Sequence, residues 1–127
     1  TNIENVIGSD GDDIIEGDSA DNILDGHDGA DDTISYASST NSSGVIVNLG
    51  GLVSGADIDG DGTNEANIAA ATGTGTGVGT DSLSNFENIL GGAGADTLIG
   101  DSGSNTLDGG TGNDILLGGD GADSFIG

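Results

Sequence analysis

Large apolar residues recur every nine positions in two blocks of the chain, and the spacing is not that of an amphipathic helix. Cut into nines from Gly91, the sequence reads GGAGADTLI, GDSGSNTLD, GGTGNDILL and GGDGADSFI. The eighth positions of the two blocks are Val6, Ile15, Leu24 and Thr33, then Ile89, Leu98, Leu107, Leu116 and Phe125. Each unit ends in a strand too short to be stable alone. The pattern therefore predicts stacked coils whose eighth side chains form a thin core. Thr33 breaks the apolar rule, and a one-residue slip would put Ile34 in its place.

Polar residues keep the same phase as the apolar ones. Gly fills the first, second and fourth positions of the fullest units, and Asp, Asn or Glu fills the sixth. Glycine permits the positive φ of a tight turn. A carboxylate added to inward-facing carbonyl oxygens makes a hard-oxygen donor set, which suits Ca²⁺. The candidate calcium ligands at the sixth positions are Glu4, Asp13, Asn22 and Asp31, then Glu87, Asp96, Asn105, Asp114 and Asp123.

A longer period contains the short one. Gly8 corresponds to Gly91, and in the same alignment TNIENVIG matches SNFENILG. We interpret this correspondence as a module of roughly 80 residues, of which the chain holds one copy and the start of a second. Glu4 and Glu87 lie in the two aligned segments, which we expect to cap the opening coil of each block.

The segment between the blocks abandons the nonapeptide. Its sequence predicts short strands near 34–37 and 45–49, and a loop or thin edge strand over 69–80. We therefore divide the chain into a first block (1–34), a β insert (35–81) and a second block (82–127). Within the insert, DIDGDGTNE has the Asp spacing of a calcium loop but lacks the Glu that an EF-hand needs at position twelve. Two interpretations have equal weight: Asp57, Asp59 and Asp61 bind Ca²⁺, or the segment is an acidic surface turn.

Composition narrows the class of partner. The chain has 27 Gly, no Lys, Arg or Cys, and a net charge of −23. Nucleic acids and anionic membranes select basic surfaces, so the charge argues against both and in favour of cations. Without Cys, disulfides and thiolate metal sites are excluded. An acidic disordered chain is the competing interpretation, and the ordered repeat argues against it.

The tandem units GGAGADTLI and GGTGNDILL resemble the Gly-Gly-x-Gly-x-Asp-x-U-x nonapeptide of RTX (repeats-in-toxin, haemolysin-type calcium-binding) proteins. The resemblance implies an all-β fold: a parallel β-roll, or right-handed β-solenoid, in two blocks separated by a β insert. Two nonapeptides would form one coil, so turns two repeats apart would share a Ca²⁺. The pairs so implied are Asp96 with Asp114, Asn105 with Asp123, Asp13 with Asp31, and Glu4 with Asn22.

Other candidate chemistry is weak. His27, the only imidazole, occupies a glycine position and is interpreted as a solvated turn residue. The sequence has no nucleophile elbow, and it has no Lys, Arg or Trp that could orient a sugar beside the carboxylates. No enzyme activity is therefore predicted. The ninth-position residues should point outward and need a cover, which we expect the insert or a neighbouring module to supply. They are Ile7, Ile34, Leu90, Ile99, Leu117 and Ile126.

Two functions fit these features. One is an extracellular structural module that folds on binding several Ca²⁺ ions, in the stalk, surface layer or filament of a large bacterial protein. Its partners would be neighbouring modules or laterally associated copies. The alternative is a calcium-dependent folding and secretion module attached to an enzyme or toxin. The resemblance implies secretion by a type I system in either case. The sequence has no long apolar run, so direct membrane insertion is not predicted.

Overall fold

Short strands dominate the computed structural model, which describes residues 4–38, 44–50, 72–75 and 77–127. No helix occurs in these ranges, and so none that could span a membrane. The strands of the first block are β1 (Asn5–Ile7), β2 (Ile14–Ile15), β3 (Ile23–Asp25) and β4 (Thr33–Ser35). The next three are β5 (Val45–Asn48), β6 (Thr72–Gly75) and β7 (Gly79–Ser84). The last five are β8 (Asn88–Leu90), β9 (Thr97–Ile99), β10 (Thr106–Asp108), β11 (Ile115–Leu117) and β12 (Ser124–Ile126).

The strands form two sheets, which the chain visits in alternation within each block. The seven-stranded sheet has the order β1-β3-β7-β6-β5-β9-β11, and the five-stranded sheet has the order β12-β10-β8-β4-β2. Strands two repeats apart pair in parallel, so Thr106 lies opposite Ser124 and Thr97 opposite Ile115. One coil therefore contains two nonapeptides, and the predicted all-β parallel roll is confirmed.

The two blocks are separate along the chain but not in space. β4 of the first block pairs in parallel with β8 of the second, and Ile34 lies opposite Ile89. In the other sheet, β3 pairs with β7 and β5 pairs with β9, both in parallel. The blocks therefore share both sheets and do not form two independent rolls.

Among the described residues, β5, β6 and β7 are neighbours in the seven-stranded sheet, and β7 runs from the insert into the second block. β6 lies between β5 and β7 and is antiparallel to both. The expectation of a loop or edge strand over 69–80 is wrong for this strand, which has hydrogen-bonded neighbours on both sides. The sequence did not predict a central strand here, because Gly and Thr do not give the alternation of apolar residues that marks one.

The core is built from two ladders that contain eighth-position residues together with Ile34, Val47 and Leu83. In the five-stranded sheet, Ile15 and Ile34 lie opposite each other, as do Leu107 and Phe125. The innermost rungs are fully buried, whereas Phe125 on the last strand is 54% exposed. Tyr36, Val78 and Phe86 add bulk where the insert joins the ladders. Each coil thus depends on the next one to cover its apolar side chains.

A one-residue slip occurs in the turn before β4. Ile14 lies opposite Thr33, whereas the other parallel pairs within each block join residues two nonapeptides apart. This coil therefore contains one extra residue, which puts Ile34 in the core, so its expected outward position is wrong. The extra residue lies in the turn 26–32, which lengthens without disturbing the strands. Of the other ninth-position residues, Ile99 is buried, Leu90 is partly buried, and Ile7, Leu117 and Ile126 are exposed.

Replacing Ile34 by Ala should destabilise the folded chain by about 2–4 kcal/mol, because a fully buried ladder residue leaves a cavity. Thr33→Ala is the matched control and should change the free energy of unfolding by about 0.5 kcal/mol at most, since Thr33 faces outward. Urea unfolding in saturating Ca²⁺ measures both. Equal losses in the two variants would contradict the slipped register.

Candidate metal centre

Glycine-rich turns connect the two sheets and bring backbone oxygens close together. Gly112 has φ of +150°, and a Cβ there would overlap the carbonyl oxygen of Gly94 in the adjacent turn. The N–H of Thr111 donates to the carbonyl of Gly92, and the N–H of Gly94 donates to the carbonyl of Thr111. Stacked turns therefore approach at backbone distance, which side chains at these positions would prevent.

The turns form two edges of the roll. On the first edge, the chain passes from the seven-stranded to the five-stranded sheet. On the second edge, it passes back. The residues that close the first-edge turns are Asp13, Asp32, Glu87, Asn105 and Asp123. Those along the second edge are Glu4, Asn22, Asp96 and Asp114, together with Asp81 inside β7.

On the second edge, Asp96 and Asp114 come together as the resemblance implied. The N–H of Asp96 donates to Oδ1 of Asp114 at 2.9 Å, and Oδ2 of Asp96 accepts the N–H of Gly92 at 2.9 Å. Oδ1 of Asp96 accepts the N–H of Val45 at 2.7 Å. Each carboxylate thus lies between its own turn and the preceding strand, with Asp96 only 1% exposed.

The first edge repeats this arrangement through both blocks. The N–H of Asn105 donates to Oδ1 of Asp123 at 3.0 Å, and Nδ2 of Asn105 donates to the carbonyl of Glu87 at 2.7 Å. The N–H of Asp32 donates to Oε2 of Glu87 at 2.9 Å. Glu87 therefore lies within a continuous column of closing residues. The expectation that it caps an opening coil is wrong, because β8 stacks on β4.

The expected pairing of Asp13 with Asp31 is also wrong. The N–H of Asp13 donates to Oδ1 of Asp32 at 2.8 Å; Asp32 is 1% exposed, whereas Asp31 is exposed. The physical reason is the lengthened coil, which moves the closing position one residue along the chain. At Asp13, the N–H and hydroxyl of Ser9 hold the pKa of the carboxyl below its usual value. The unbroken nonapeptide frame hid Asp32, and only Thr33 in an apolar position signalled the slip.

Asn22 connects the first block to the insert. The N–H of Ile23 donates to the carbonyl of Glu4 at 2.9 Å, so Glu4 and Asn22 adjoin as expected. The N–H of Asn22 donates to Oδ1 of Asp81 at 3.0 Å. Asp81 therefore occupies a closing position although it lies outside the nonapeptide blocks, where the repeat pattern gave no signal for it.

Asp81 is a buried carboxylate with a second partner. The hydroxyl of Tyr36 donates to its Oδ2 at 2.8 Å, and both residues are at most 2% exposed. Burial raises the pKa of Asp81, and the hydrogen bonds from Tyr36 and Asn22 oppose that rise. Burial and the adjacent Asp81 also raise the pKa of the Tyr36 phenol. The pair ties the end of the first block to β7.

The donor set of both edges fits a hard divalent cation. Carboxylate and amide oxygens stack at successive coils beside backbone carbonyls, and the chain has no Lys or Arg to neutralise them. Asp57, Asp59 and Asp61 lie outside the described residues, so their role as ligands stays a prediction.

A family model described as the RTX calcium-binding nonapeptide repeat, in four copies, matches residues 2–34 and 87–127, more than half of the chain. The chain belongs to the RTX calcium-binding repeat family. Its RTX repeats bind Ca²⁺, and their number implies several ions. No curated protein matches the chain significantly.

Asp32 should contribute more to calcium binding than Asp31. Asp32→Asn keeps a hydrogen-bond acceptor for Asp13 but removes one charge, so the Ca²⁺ concentration at half-folding should rise by several-fold. Asp31→Asn removes the same charge from the exposed neighbouring position and should leave the midpoint almost unchanged. Far-UV circular dichroism during a Ca²⁺ titration measures both midpoints. A larger shift for Asp31→Asn would reverse the assignment.

Tyr36→Phe should destabilise the Ca²⁺-loaded chain by about 1–3 kcal/mol, because it leaves a buried carboxylate oxygen of Asp81 without its donor. In an Asp81→Asn background, the same substitution should cost less, since no charge remains to be solvated. A double-mutant cycle by urea unfolding gives the coupling energy. Additive losses would show that the hydroxyl does not stabilise the charge.

Proposed function

We propose that this chain is an extracellular structural module that folds when Ca²⁺ is supplied, within a large secreted or surface-attached bacterial protein. The observation that supports this most directly is the column on the first edge, which runs through both blocks. Its closing residues are Asp13, Asp32, Glu87, Asn105 and Asp123. Candidate ligands from distant parts of the sequence thus lie in one column.

Electrostatic repulsion explains why folding should need the ion. Acidic residues stack at every coil of a chain whose net charge is −23, and the apolar ladders are only one residue wide on each sheet. Bound Ca²⁺ would neutralise the carboxylates and replace their lost hydration. Burial of a core this thin cannot by itself offset such repulsion.

The affinity expected of such sites indicates the compartment. Extracellular calcium modules typically bind with Kd of about 10⁻⁴–10⁻³ M. A chain tuned to that range stays unfolded at cytosolic Ca²⁺ and folds after export. Type I secretion of an unfolded chain, followed by folding outside the cell, is consistent with this switch and with the absence of Cys.

A mechanical role fits the structure better than catalysis. Coils stack along one axis, and the last strand leaves Phe125 of the core ladder 54% exposed. A neighbouring module with the same repeat would extend both sheets by further coils. We therefore propose a noncatalytic segment of an adhesin stalk, surface layer or filament, made rigid by its ions.

The chain should gain β structure cooperatively as Ca²⁺ rises through about 0.1–1 mM, and should not do so with Mg²⁺ at equal ionic strength. Far-UV circular dichroism reports the transition, because the β coils stack as the ions bind. A chain already folded in chelator would contradict ion-coupled folding. On intact source cells, antibodies against the chain should label the surface; labelling only after permeabilisation would contradict the extracellular location.

A further inference from the structure

The outer rim of the first edge carries a cluster of side chains that the calcium columns do not use. Asp10, His27 and Asp28 are exposed, and one potential ligand atom from each lies within 4.8 Å of the others. Asp10 belongs to the turn after β1, whereas His27 and Asp28 belong to the turn after β3. We propose that these three residues bind a transition-metal ion, of which Zn²⁺ is the representative, between two adjacent coils.

The position of His27 is unusual for the repeat. It takes the second position of its turn with φ of +75°, close to the +82° of Gly110 at the equivalent position. The two turns also match in hydrogen bonding, because the N–H of His27 donates to Asp25 as the N–H of Gly110 donates to Asp108. The chain thus holds an imidazole where a left-handed backbone favours glycine.

The geometry suits a shared ion. Nδ1 of His27 lies 3.4 Å from Oδ1 of Asp10. Two ligands placed about 2.1 Å from a tetrahedral Zn²⁺ are themselves about 3.4 Å apart. Asp28 is the third donor, and its exposed side chain has room to complete the site. A water would take the remaining position.

The chemistry of the donors separates this site from the calcium columns. Imidazole nitrogen is a poor ligand for Ca²⁺ but a common one for Zn²⁺, Ni²⁺ and Cu²⁺. The carboxylates of Asp13 and Asp32 accept the N–H groups of Ser9 and Asp13, whereas the three residues of the cluster are exposed. One pair of turns therefore has calcium ligands within the roll and a mixed nitrogen and oxygen set outside.

Charge gives a reason for an ion at this place. Asp10 and Asp28 stand at the same position of successive coils, so their carboxylates repel each other. Lys and Arg are absent from the chain, and His27 is its only basic side chain. A metal at this rim would link the turns after β1 and β3. These are the last two strands at one end of the seven-stranded sheet, where fewer strands are available to hold a coil in place.

The single histidine makes the test specific. In the chain saturated with Ca²⁺, one equivalent of ZnCl₂ should shift the imidazole ¹⁵N resonances, and isothermal titration calorimetry should give a stoichiometry of one. His27→Gly and Asp10→Asn should each weaken that binding by at least about ten-fold, because even indirect supports of a metal ligand contribute this much. His27→Gly introduces the residue that three other turns carry at this position, as Gly92, Gly110 and Gly119, so it should keep the fold.

Asp120→Asn is the matched control. Asp120 has the same position in a first-edge turn but is not part of the cluster, so its loss should leave Zn²⁺ affinity unchanged. An unshifted imidazole at excess Zn²⁺ would overturn the proposal. So would His27→Gly binding Zn²⁺ as tightly as the unaltered chain, which would place the metal on other acidic groups. Circular dichroism of each variant in Ca²⁺ verifies folding, and Asp10→Asn decides the matter if His27→Gly does not fold.

Discussion

One hydrogen bond, repeated from coil to coil, holds the turns of this protein in register. The backbone N–H of a closing residue donates to the side-chain oxygen of the closing residue in the next coil, as Asp96 donates to Asp114 and Asn105 to Asp123. The bond needs a side-chain oxygen at a set distance from the backbone, which Asp and Asn provide. Glu87 provides it from a shorter turn. The bond aligns the eighth-position side chains above one another and brings the acidic groups together. The core and the columns of closing residues are therefore consequences of the same contact.

The same contact is the basis for our proposal that folding requires ions. Stacking places like charges at neighbouring coils, and the chain contains no Lys or Arg to offset them. At the insert, the acidic group is stabilised differently. Asp81 is buried there and accepts a hydrogen bond from the hydroxyl of Tyr36. A neutral donor there replaces the N–H that a glycine-rich turn provides to Asp96. The insert thus continues the second edge with chemistry of its own.

The insert also decides how the sequence repeat maps onto space. The long repeat aligns Asn5–Ile7 with Asn88–Leu90, yet β1 lies in the seven-stranded sheet and β8 in the five-stranded one. The reason is that the insert adds one visit to the seven-stranded sheet between β4 and β8, so the chain crosses between the sheets five times from β1 to β8, an odd number. Equivalent residues in the two copies therefore face opposite sides of the roll, and a sequence repeat is not a structural repeat here.

The sequence by itself determined the coil and its chemistry, because both depend on neighbours two nonapeptides apart and show as a period. The period predicted the inward eighth positions, and its resemblance to the RTX nonapeptide implied the parallel strands and the closeness of Asp96 to Asp114 and of Asn105 to Asp123. Three features depended on tertiary contacts that leave no period. These are the slip that brings Asp32 beside Asp13, the stacking of β4 on β8 that places Glu87 inside a column, and the burial of Asp81. A turn can accommodate one extra residue at little energetic cost, so the repeat does not specify the register before β4. The pairing of β8 with β4 depends on where the insert leads the chain, which only the folded structure determines.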